Sequence, residues 1–179
     1  MTTNTSTPRI GFSKILYLTD LSNEGRHAFP YAASLAHKYD ADLTVLHIVE
    51  KHDFEKYLVG YVDEDLWEQI KERNLEDARE MLIRRKRSDA AIRNAVDQFC
   101  LDAMEASDDQ PYVTYNIDVE EGDPVDTVLE KVRREGFDLV VVGKHGHGII
   151  EGALMGDTAR RIVRRCTVPV LVVQLPENR

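Results

Sequence analysis

Cysteine is nearly absent from this sequence: Cys100 and Cys166 are its two thiols among 179 residues. They are too few for a disulfide framework and lack the spacing of a zinc site, so both read as small buried apolar residues. Long apolar runs are missing too. Nothing approaches the ~20 residues of a membrane span, and the opening MTTNTSTPR has no apolar segment of the signal-peptide kind. A cytoplasmic location, with no membrane insertion, is the expectation by default. Positive charge is in deficit, since 23 Lys and Arg face 32 Asp and Glu for a formal net charge of -9. That balance disfavours nonspecific attraction to nucleic acid or an anionic membrane. The basic groups at 84–87, Arg160-Arg161 and Arg164-Arg165 lie among acidic or alternating neighbours and read as solvated helix faces.

What is present is ordinary for a globular domain, 42% hydrophobic and 31% charged, in a chain long enough to bury a core without staples. Residues 1–12 read as a mobile arm and 13–175 as one domain. Residues 14–20 form a first strand ending on Thr19 and Asp20. Ser22 offers an N-cap to a helix reaching about Tyr39, and 42–49 is a second buried strand. Residues 50–110 are long, charged and weakly apolar. They read as a loop through Gly60 and then helix, with a break near Arg87-Ser88-Asp89 where the apolar register lapses. Residues 111–119 alternate by twos and suggest a third strand near an edge. Pro124 then opens a helix at its first position, and Gly136 ends it. Alternation of strands and helices in this way predicts a single open parallel sheet covered on both faces.

The stretch from Phe137 to Val173 organises the rest. Leu139 to Val142 is the continuous β-branched run of a strand buried on both faces, and it stops at Gly143. A loop with Gly146, Gly148 and Gly152 follows, and Gly156-Asp157-Thr158 leads into a helix whose N-terminus would present free N–H groups to an anion. Ligands of open parallel sheets lie beyond the carboxyl ends of the strands, where strand order reverses. With the first and fourth strands as neighbours, Asp20 and the Gly143 loop would meet across one crevice.

The segments LYLTDLS, LTVLHIVE, EGDPVDTVLE and DLVVVGKHGHGIIEGALMGDTARRIVRRCTVPVLVV together resemble the universal stress protein family, over nearly all of the chain outside 50–110. The resemblance implies a five-stranded sheet in the order 3-2-1-4-5. It also implies a homodimer in which the last strand, 168–173, pairs antiparallel with its mate. That strand is an apolar edge that should not stay bare in water. Family members that bind ATP carry Gly, two residues, Gly, nine residues, Gly, then Ser or Thr. Gly143, Gly146 and Gly156 fit, but Asp157 stands in the hydroxyl position and Thr158 comes one place late. By resemblance Thr19, Asp20 and Ile48 would hold the adenosine, Ile48 through its backbone. Val142, Gly143, His145 and Gly146 would line the ribose and phosphate side, and Gly156, Asp157 and Thr158 would meet the terminal phosphates.

A carboxylate ~4 Å from a phosphate charge costs ~4 kcal/mol at an effective dielectric near 20. Asp157 therefore leaves two readings open: a helix cap, or a ligand residue acting through a nucleotide-bound divalent ion such as magnesium or manganese. The expected cofactor is accordingly an adenine nucleotide, ATP with metal or else AMP or ADP. His145 and His147 have no third ligand at metal spacing, Lys144 comes at the beginning of the loop instead of after its last glycine as in a Walker loop, and no nucleophilic elbow occurs. Catalysis has no evident base. The function implied is nucleotide binding as a regulatory signal in stress response. The alternatives are a stress-associated interaction protein acting through its dimer and its 50–110 segment, and, more weakly, a slow ATPase. Within that segment Tyr57, Tyr61 and Trp67 suit a lid or partner surface; a crossover that has simply grown long is the plainer reading.

Overall fold

Successive residues of Lys14–Thr19, the first strand (β1), pack on opposite faces of the sheet, Ile15 and Tyr17 on one and Leu16 on the other, and that alternation divides the core in two. The computed structural model describes residues 10–49, 75–105, 113–146 and 155–175, with side chains of the 75–105 segment described from residue 90 onward. After β1 come α1 (Asn23–Tyr39), β2 (Asp42–Val49), α2 (Leu75–Glu105), β3 (Tyr115–Glu121), α3 (Pro124–Glu135), β4 (Leu139–Gly143), α4 (Asp157–Arg165) and β5 (Val170–Val173). The five strands form one sheet in the order β3-β2-β1-β4-β5, with every pairing parallel. Fold class and strand order are those expected.

One face of the sheet places Ile15, Tyr17, Leu43, Val45, Leu139 and Val141 against α1 (Ala28, Phe29, Ala32) and α2 (Val96, Phe99, Cys100). The other face sets Leu16, Leu46, Ile48, Val140 and Val142 against α3 (Val125, Val128, Val132) and α4 (Ala159, Ile162). Each fully buried Val, Leu or Phe contributes ~1.5–3 kcal/mol, against ~1 kcal/mol for a helix cap, so these two clusters carry the stability and the caps set boundaries. The caps are where composition placed them. Ser22 accepts the Gly25 N–H at 3.2 Å, and Asp123 accepts from Val125 and Asp126 at 3.0 and 2.9 Å ahead of Pro124. Gly136 closes α3 in the left-handed region at φ 72°.

Three boundaries differ from expectation. The helix is continuous from 75 to 105, so there is no break at 87–89; the segment holds neither Gly nor Pro, and its Arg, Lys and Ala sustain a helix while the apolar stripe drifts. The third strand runs 115–121 instead of 111–119, because its pairing follows β2 from Leu43 to Val49. The last strand begins at Val170; Pro169 has no N–H to give, although its carbonyl accepts the Val140 N–H at 3.0 Å. Residues 50–74, with Tyr57, Gly60, Tyr61 and Trp67, and residues 1–9 lie outside the described residues. Cys100 is buried, and burial pushes its thiol up to about 12, so it stays protonated and inert; Cys166 is half-buried.

Candidate functional site

β1 and β4 are hydrogen-bonded neighbours, with Leu18 opposite Val142. The chain leaving β1 turns into α1 on one face, whereas β4 is followed by α4 on the other. The two chains therefore diverge at the carboxyl ends of these strands, which is where a parallel sheet opens a crevice.

The turn after β1 is built from side chains that accept backbone N–H groups. Thr19, 2% exposed, takes the Leu21 N–H at 3.0 Å, Asp20 takes that of Ser22 at 3.0 Å, and Ser22 caps Gly25. Leu21 is held at φ 63°, a conformation costing a non-glycine residue ~1–2 kcal/mol, and such strain gathers at sites of function. Tyr17 locks the first turn of α1 by donating to the Gly25 carbonyl at 2.6 Å; burial raises its phenol far above the ordinary value, so the donor proton is retained.

The segment after β4 reaches back to this turn. A Cβ on Gly146 would collide with the Asp20 carboxylate, so only glycine lets the backbone come this close. A Cβ on Gly143 would lie 3.2 Å from the backbone of Glu24 and from the His145 carbonyl. Glu24 is 8% exposed, and its Oε2 accepts the His145 N–H at 2.7 Å while its Oε1 lies 3.0 Å from Nδ1 of the same residue. The far end of the loop is clasped as well: the Gly156 N–H donates to the Lys144 carbonyl at 2.9 Å, and the Lys144 N–H donates to Val173 at 2.7 Å.

The N-cap of α4 is Gly156, which has no side chain to cap the helix. Asp157 is consequently not the cap; it is the first helical residue, 62% exposed at its side chain, paired with Arg160 at 2.5 Å and Arg161 at 3.9 Å. These arginines balance the charge that made Asp157 an obstacle. Lys144 directs its ammonium to Gln174 at 3.0 Å, beyond β5.

Thr19, Asp20, Val142, Gly143, His145, Gly146 and Gly156 are thus gathered at one end of the sheet, with Asp157 and exposed Thr158 on the first turn of α4. Ile48 lies at the carboxyl end of neighbouring β2; its side chain belongs to the core, which leaves only its backbone to a ligand. His147, Gly148 and Gly152 lie outside the described residues. Glu24 was not anticipated, and no local pattern marks it, since an acid in a first helical turn is commonplace. A separate hollow of about 360 Å³ lies at the amino ends of the strands, lined by Lys14, Asp42, Thr44, Asn116, Asp118 and Glu135. Two of its three carboxylates, Asp118 and Glu135, are already paired with Lys131, so the hollow is occupied with the protein's own charge pairs. Among the described residues no group of three His, Cys, Asp or Glu is placed to hold a metal, and no helix is long and apolar enough to cross a membrane.

Comparison with known proteins bears on this end of the sheet. The model of the universal stress protein family matches residues 11–174. A universal stress protein of Methanocaldococcus jannaschii, MJ0531, is 28% identical over 167 residues, covering 93% of this chain and 85% of its own. Among solved structures, hypothetical protein MJ0577 superposes with a TM-score of 0.62 at 18% identity, over 94% of this chain and all of its own. A universal stress protein in complex with cAMP gives 0.54 at 20% identity, over 92% and 98% of the two chains. A family protein from Arabidopsis thaliana with AMP bound gives 0.51 at 16% identity, over 92% and 93%. At these identities the structural likeness shows the fold.

Proposed function

Because the chain belongs to the universal stress protein family, we propose that it binds an adenine nucleotide at the carboxyl ends of β1 and β4, as a regulatory signal in stress response and without rapid turnover. The observation that carries this reading is the close approach of Gly146 to Asp20, with the same loop tied through Gly156 to the start of α4. A carboxylate beside a bare backbone suits a ribose or base edge, and the uncapped first turn of α4 offers N–H groups and a helix dipole to phosphate. Thr19, Asp20 and the Ile48 backbone hold the adenosine. Val142, Gly143, His145 and Gly146 line the ribose and first phosphate, while Gly156, Asp157 and Thr158 face any further phosphates. The relatives with cAMP and AMP bound support a ligand with one phosphate. ATP would bind with a divalent ion, for which Asp157 would supply a hard carboxylate oxygen.

The outer edge of β5, the last strand in the sheet order, pairs with a second copy of the chain, because Val170, Leu171 and Val172 are only half-buried there. Thermal shifts with AMP, ADP and ATP, each with and without magnesium, test the proposal. Stabilisation by AMP in either condition and by ATP chiefly with magnesium is expected, with timed phosphate release staying near background; flat responses throughout reject it.

A further inference from the structure

We infer that Glu24 is a specificity-determining residue of this crevice, limiting how many phosphates its nucleotide carries; the inference rests on the nucleotide reading above. An acid in the first turn of a helix ordinarily faces water and gains little from the dipole. Glu24 is instead 8% exposed, and both of its oxygens are engaged by one residue 121 positions away, the His145 N–H at 2.7 Å and the His145 ring nitrogen at 3.0 Å. A carboxylate only accepts, so the ring donates from Nδ1. Gly143 packs against the Glu24 backbone and Cβ, at 3.2 and 3.3 Å from where its own Cβ would be, which holds the start of the loop against α1.

An internal anion therefore occupies a backbone donor of the segment that would line the ribose and first phosphate. A ligand cannot use that N–H, and each phosphate brought in meets a fixed negative charge shielded from solvent. The Asp157 charge is exposed and balanced by Arg160 and Arg161, so it is the weaker discriminator of the two. A monophosphate suffers least from Glu24 and a triphosphate most.

Glu24→Gln keeps an oxygen to accept the His145 N–H and removes the charge. Calorimetric titration of the full-length protein and this variant with AMP, ADP and ATP, without metal, reads the difference. Expected is an ATP affinity about fivefold higher in the variant, a smaller gain for ADP, and AMP within about twofold of wild type. If wild type binds nucleotide and the variant shows the same ratio of ATP to AMP affinity, Glu24 only shapes the loop and the inference fails while the site stands. If neither protein binds any of the three, the nucleotide reading itself falls and this inference falls with it.

Discussion

Two sets of carboxylates in this molecule are balanced in opposite ways. At the β3 edge, Lys131 is 3% exposed at its side chain and reaches Asp118, Glu120 and Glu135 at 2.8, 2.7 and 2.9 Å. Burial alone would lower its ammonium, but those three partners hold it above its ordinary value, and Arg134 with Lys131 keeps Glu135 below the usual carboxylate range. Side chain meets side chain there, on elements already fixed by the core. At the crevice, Asp20 and Glu24 accept from backbone N–H groups of a turn and a loop, and Glu24 also meets the His145 ring. The first set gathers its carboxylates on one buried ammonium and joins α3 to the sheet. The second fixes the shape of a chain segment, holding the turn after β1 and the start of the loop after β4 in place.

Substitutions should separate the two sets. Lys131→Met is expected to lower stability by ~2–3 kcal/mol in urea denaturation, somewhat below the ~3–5 of a fully buried pair because its partners keep about a third of their surface. AMP affinity of the folded variant should not change. Gly146→Ala is expected to do the reverse: Asp20 must swing away from the new methyl group, costing AMP affinity about tenfold, with urea stability altered by less than ~1 kcal/mol.

Acid should act on the first set. The contribution of Glu135 is present above its unfolded value near ~4.3 and is lost as pH falls through its lower folded value. That of Lys131 is present at all pH values below its unfolded value near ~10.4 and is lost only as pH rises through its higher folded one. Stability followed from pH 7 to 3 should therefore hold steady until about pH 4.5 and then decline, and the decline should be shallower in Lys131→Met. The smallest effect is expected from Asp157→Ser. Because Arg160 and Arg161 already offset that charge, metal-free ATP should bind only about two- to fivefold tighter, measured by calorimetry.

Local chemistry made much of this legible in advance. Ser22, Pro124 and Gly136 announce helix ends through interactions that span a few residues, and the run Leu139 to Val142 declares a doubly buried strand by itself. Strand order did not follow from any such pattern; it came with the family resemblance. Glu24 escaped notice because its partner is 121 residues away. Lys131 was also missed among the charges of α3, although Asp118 and Glu120 stand two apart on a strand and so share a face, a readable sign that a cation is needed there. The pairing of Asp157 was readable too: arginines three and four residues later lie within reach on a helix, and that spacing is plain in the sequence.

The most direct test of the central claim is a titration of isotope-labelled protein with AMP, followed through its backbone amide resonances. Shifts concentrated at Asp20, Ile48, residues 143–146 and residues 156–158 are predicted. No shifts at millimolar AMP, or shifts confined to the amino-end hollow around Lys14, Asp42 and Asn116, would contradict it.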